Sequence, residues 1–196
     1  MPKLSSISIA ALCIGNGLVA VVAVGLDLTA HDVMRMYWVE VGVIGLFTAL
    51  KISLASEVGL VGRTKPYKVV LFGAHYGTFW VFYTQLLSFI GSGQLVPFWL
   101  TIAALFLYAI VHAVTFKFST WDKGELRTVT AFSWMPVPYG RGLQRHAVLL
   151  AMHAGMWSAE YAAAPVVLVA VKFVLDAPAH AIEHRWVIRK LSRANA

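Results

Sequence analysis

Lys172, Asp176, His180 and His184 recur every four residues inside the apolar stretch 165–187, which places them on one stripe of a helix. At that spacing an Asp–His pair can chelate a cation from one helix face, and a Lys–Asp pair can neutralise itself as an ion pair. Further ionisable residues lie in equally apolar text: Glu40, His75 within "GAHYGTFW", His112, His153 and Glu160. His146, His153, Trp157 and Glu160 also align on one helical face, at i, i+7, i+11 and i+14.

Three chemistries fit this set. His75, His153, Asp176 and His180 offer the imidazole and carboxylate ligands that suit zinc, iron or copper. Paired histidines on different helices, from His75, His112 and His153, could instead ligate a haem, with Gly77 and Gly155 leaving room for the macrocycle. The third reading makes the same groups an ion or proton path, with Lys172–Asp176 as an internal pair and Glu40 and Glu160 as further intramembrane polar residues. Against all three stands packing, because membrane helices use polar side chains as interhelical hydrogen-bonding groups and small residues such as Gly73 and Gly77 for close approach. His31, His146 and His184 fall near segment boundaries and read as interfacial.

The elements that must position these residues follow from composition. Hydrophobic residues make up 59% of the 196 positions, charged residues 13%, and the mean hydropathy is +0.72. Soluble domains carry about 25% charged residues, so the chain reads as an all-α, polytopic membrane protein. Six segments reach the length of about 20 apolar residues that a span requires: roughly 6–27, 33–54, 67–90, 96–117, 143–162 and 165–187. The first is too long for the apolar core of a secretory signal and reads as an uncleaved helix. "DLTAHD", "GSGQLVP" and "AAAP" supply the breaks. One single-domain, six-helix bundle results, its backbone groups satisfied within each helix.

The 16 basic residues choose its orientation. All except Arg35 and Lys172 fall on one face of the six-span arrangement, and lysine and arginine are retained on the cytoplasmic side. Both termini and the connection 118–142 are therefore expected on the cytoplasmic side of an inner membrane. The net charge of +7 is thus topological, and nucleic acid is not an expected partner. The expected partners are the bilayer and other membrane-protein subunits, the latter if the chain is an accessory subunit.

Counting ~1.5 Å per residue from the inner boundary gives the depth of each group. His75 and His180 lie at roughly 12 Å, His112 at roughly 8 Å, and His153 and Asp176 near 16 Å. Glu40, Glu160 and Lys172 fall further out. The count makes His75 an inward-facing neighbour of His180. VLFGAHYGTFW (70–80) and VLLAMHAGMWS (148–158) share His-x-Gly followed by an aromatic, an echo consistent with a duplicated three-helix unit. Gly-x-Ser-x-Gly, CxxC, HExxH and phosphate-loop patterns are absent, and Cys13 has no second cysteine to bond.

YWVEVGVIGLFTALK (37–51) carries a Tyr-Trp-x-Glu pattern, His75 to Phe79 reads His-Tyr-Gly-x-Phe, and Lys172, Asp176 and His180 form Lys-x3-Asp-x3-His. In these motifs the chain resembles an uncharacterised prokaryotic integral-membrane family, a domain of unknown function. The resemblance implies a membrane fold and no defined activity.

Overall fold

The computed structural model describes residues 6–56, 65–90, 98–122, 124–136, 138–139 and 165–176. These are helical and contain no strand. Four long helices come first: α1 (Ser6–Gly25), α2 (Ala30–Leu54), α3 (Lys65–Ile90) and α4 (Phe98–Thr115). Short helices α5 (Glu125–Thr128) and α6 (Ala131–Trp134) follow, and then the helical residues 165–176, designated α7. The expected segments 6–27, 33–54, 67–90 and 96–117 thus each hold a helix. The segment 143–162 and residues 177–187 lie outside the described residues.

Two of these helices, Ala30–Leu54 and Phe98–Phe118 (the latter including the turns that continue α4), are long and apolar enough to cross a membrane. By length and composition this points weakly to membrane association. The surface agrees in character: Val21, Leu46, Val70, Phe82, Phe106 and Val174 are exposed apolar side chains.

The helix α2 is the hub, packing against α3, α4 and α6. Its start is fixed locally. Thr29 Oγ1 accepts from the Asp32 N–H at 3.2 Å, and Asp32 Oδ2 accepts from the Thr29 N–H at 2.9 Å. This reciprocal box satisfies donors that a helix start otherwise leaves orphaned, and it turns "DLTAHD" from a break into a stop-and-start signal. Within the same turn, His31 Nε2 lies 3.1 Å from the Leu87 carbonyl, tying the start of α2 to the end of α3.

The α2–α3 seam is aromatic. Trp38 and Trp80 stack with centroids 4.5 Å apart, and the Trp80 indole N–H donates to the Trp38 carbonyl at 3.1 Å. The Trp38 N–H donates to Thr84 Oγ1 at 2.9 Å. Trp38 is therefore a half-buried packing residue whose polar edge is used. Glycine makes the seam possible: a Cβ on Gly45 would lie 2.3 Å from Tyr76 Cε1, and one on Gly42 would lie 3.2 Å from the Trp80 ring.

Sequence reading made 118–142 a loop. The structure instead continues α4 through a π-helical turn, Phe116–Trp121, and folds the next described residues as a cap on the C-terminal end of α2. The Ser56 N–H donates to the Leu126 carbonyl at 2.7 Å, and Lys51 Nζ sits 4.4 Å from the centroid of the fully buried Trp134 ring. Apolar residues spaced through the connection (Leu126, Val129, Ala131, Trp134) give the cap a buried face, so it is held by burial as well as by its turns.

A buried charged centre as the candidate functional site

Four polar side chains from α1, α2 and α7 meet in the interior. The Lys172 ammonium donates to Asn16 Oδ1 at 2.7 Å, lies 3.2 Å from Glu40 Oε2, and donates to Asp176 Oδ2. Asn16 is 3%, Glu40 4%, Lys172 5% and Asp176 7% exposed, so water screens none of these contacts appreciably. Tyr37 places its ring 5.0 Å from Lys172 Nζ, one helical turn before Glu40. On the far side of Glu40, His112 Nε2 of α4 stands 3.8 Å from Oε1.

Local sequence explains each placement. Lys172 and Asp176 share a face at i, i+4, and Tyr37 and Glu40 do so at i, i+3. Asn16 lies between Gly15 and Gly17 on α1, and Gly15 lets that helix approach α4, where a Cβ would meet Val111 Cγ2 at 3.1 Å. Burying three charges is expensive unless they are paired and hydrogen-bonded. Each carboxylate here faces the ammonium, and the carboxamide supplies a third oxygen. Among the described residues the centre sets two carboxylates around one ammonium.

The depth count placed Glu40 and Lys172 further out than the histidines, and the structure brings these two into contact. His112, counted in a layer nearer the inner boundary, also reaches Glu40. Its helix does not end near 117 but runs on through the π-turn to Trp121. Sequence reading also missed Asn16. Its signal was a lone carboxamide inside an otherwise apolar span, which a search for ionisable groups passes over.

His75 takes a different partner. Its side chain is exposed on α3, and Nδ1 lies 2.6 Å from the Tyr139 hydroxyl, against the expectation that it faces inward. Tyr139 packs among the rings of Phe72, His75, Tyr76 and Phe79, with centroids 5.2–6.4 Å apart across this group. Burial pushes its phenol above the ordinary tyrosine range, so the hydroxyl keeps its proton near neutrality. Asp176, the other described member of the expected metal set, is engaged by Lys172. Among the described residues no three His, Cys, Asp or Glu side chains group as a metal site. His153, Glu160 and His180 lie outside the described residues.

A cavity of about 560 Å³ opens between α2, α3 and α4, lined by Gly42, Gly45, Phe72, Tyr76, Trp80 and Leu105 among others. Gly73 and Gly77 border it, and a Cβ on either would meet no described atom within 4 Å. None of the charged residues lines this space, and neither does His75.

No curated protein and no solved structure matches the chain. The model of a family of unknown function, DUF6498, matches residues 2–192, and the chain belongs to that family.

Proposed function

We propose that the chain is a multi-pass protein of the prokaryotic inner membrane, with six spans and both termini inside, and that its buried charged centre is the coupling site of an ion transporter. One observation carries this reading: a lysine ammonium held by Asn16, Glu40 and Asp176 from three helices, with less than a tenth of each residue exposed. Helix packing needs far less. Ionisable groups inside membrane segments are costly and typically mark ion paths or proton relays, and a buried cluster that brings carboxylates, an ammonium and a carboxamide from three helices together is the kind of set such paths use.

Flux through proteoliposomes tests the reading. Vesicles holding the purified protein should dissipate an imposed proton or sodium gradient faster than empty vesicles. Asp176→Asn should lower that rate at least tenfold while eluting as the same folded species. Rates equal to those of empty vesicles, or unchanged by Asp176→Asn, would count against it.

The metal or haem reading makes a different prediction. It needs His153 and His180 to join His75 and Asp176, yet Asp176 is held by an ammonium that would repel a second cation. Elemental analysis and the optical spectrum of protein purified without chelator should show substoichiometric transition metal and no haem band. One tightly held metal per chain, lost in Asp176→Asn, would restore that reading.

A further inference from the structure

We propose that the cavity between α2, α3 and α4 is a lipid site that takes one acyl chain of a membrane phospholipid. The site rests on the membrane part of the reading above and is independent of transport. Three features carry it: the chemistry of the lining, the length of the slot, and two glycines that the packing of the described residues does not require.

The cavity holds about 560 Å³, within the range of about 300–1,000 Å³ usual for small-ligand sites. On α2 its lining runs from Trp38 to Ala49, about 16 Å at the helical rise per residue. That is close to half of the ~30 Å hydrocarbon core, the depth that an acyl chain of one leaflet occupies. The polar edges of the lining are mostly spent on the protein. The Trp38 and Trp80 N–H groups donate to Thr84 Oγ1 and to the Trp38 carbonyl, and the Tyr76 hydroxyl donates to the Val41 carbonyl. Thr101 is the remaining polar side chain, so the slot offers a guest little but carbon. Apolar space of this kind stays dry and accepts apolar guests, and left empty it forfeits dispersion contacts along its walls.

The glycines show where the guest lies. Gly42 and Gly45 on α2 face the slot, but the protein itself needs them: a Cβ there would lie 3.2 Å from the Trp80 ring and 2.3 Å from the Tyr76 ring. Gly73 and Gly77 on α3 are different. A Cβ on either meets no described atom within 4 Å, although alanine is the better helix former. The two share one helical face at i, i+4 and line the slot. Their missing methyl groups leave bare backbone along its wall, where a methylene chain can approach closely. Leu46 and Leu105 also line the slot and are themselves exposed, so its mouth opens onto apolar surface. In a membrane that surface meets lipid. A flexible chain can follow such an irregular slot, whereas a packed helix needs ridges that match its grooves.

The test places the full chain in phosphatidylcholine vesicles containing a trace of phosphatidylcholine with a photoreactive diazirine in one acyl chain. Mass spectrometry after illumination maps the adducts. They should concentrate at Gly73, Gly77, Leu46 and Leu105, at least fivefold above the exposed Val21 and Val174. Gly77→Leu, or Gly73→Leu if the first variant does not fold, fills the slot and should cut those adducts at least fivefold, leaving Val21 and Val174 labelled as before. The wild-type map decides even if neither variant folds. Adducts spread evenly over the exposed apolar positions would overturn the proposal, and so would enrichment that a filled slot leaves unchanged. A disulfide between two copies of Gly73→Cys would put a second helix in the slot and overturn it as well. Labelling of the slot by a photoreactive free fatty acid, with none from the phospholipid, would overturn the phospholipid as its source. Vesicle flotation separates the two readings: a chain that does not float with the vesicles defeats the membrane reading, and a floating chain without enriched adducts defeats only this one.

Discussion

Lys172→Met is expected to be among the most damaging single changes in the bundle, costing about 3–5 kcal/mol of stability, the range found when one partner of a buried ion pair is removed. Methionine keeps the length and apolar stem of lysine, so little packing is lost and the effect is electrostatic. Without the ammonium, Glu40 and Asp176 lose the cation they share, and Asn16 loses the donor to its Oδ1. Asp176→Asn should be far milder, because it leaves one ammonium facing one carboxylate. The triple replacement Lys172→Met, Glu40→Gln, Asp176→Asn should recover most of the loss, since a centre stripped of all three charges carries no buried charge to solvate. Thermal unfolding in a mild detergent, with size-exclusion profiles, ranks the three proteins. A Lys172→Met variant as stable as Asp176→Asn, or a triple variant no better than the single, would mean that Lys172 does not balance the two carboxylates.

The charged centre was partly legible in the sequence, and the part that was not has a physical cause. Lys172 and Asp176 could be paired from spacing alone because both lie on one helix, where i, i+4 fixes geometry. Glu40 was a candidate because it is ionisable inside an apolar segment, but its contact with Lys172 is between two helices, which spacing along one of them does not fix. The approach of His112 to Glu40 was not legible, because α4 runs on into a π-turn and cap, which hydropathy does not encode. His75 was misjudged for another reason. Apolar and aromatic residues surround α3 on every side, so periodicity could not distinguish its buried face (Phe72, Tyr76, Tyr83, Leu87) from the exposed one that carries His75. Glycines divide the same way. "GAHYGTFW" drew attention to Gly73 and Gly77, yet the close approaches among the described residues fall at Gly15, Gly42 and Gly45, whose need for hydrogen at Cα depends on a side chain from another helix.

That difference among glycines yields the other large effect. Gly45→Ala should destabilise the bundle by about 1–3 kcal/mol, the usual cost of forcing extra carbon into a packed core. Its new Cβ would stand 2.3 Å from Tyr76 Cε1 and 2.6 Å from Cδ1, well inside contact distance. Tyr76 cannot simply swing away. Its hydroxyl donates to the Val41 carbonyl at 3.0 Å, its ring stacks on Phe72 at 5.2 Å, and Tyr139 closes the other side at 5.6 Å. Relief therefore requires α2 and α3 to separate, which also loosens the Trp38–Trp80 stack one turn away. Gly17→Ala is the control, since its Cβ meets no described atom within 4 Å and alanine is favoured over glycine within a helix by about 0.8–1.0 kcal/mol. The two variants should move the unfolding midpoint in opposite directions, and tryptophan fluorescence should report the opened seam in Gly45→Ala alone. Because Glu40 lies on the helix that must move, that variant should also weaken the charged centre without touching a charge. A Gly45→Ala protein with wild-type stability and an undisturbed tryptophan signal would show that α2 and α3 do not approach at that glycine.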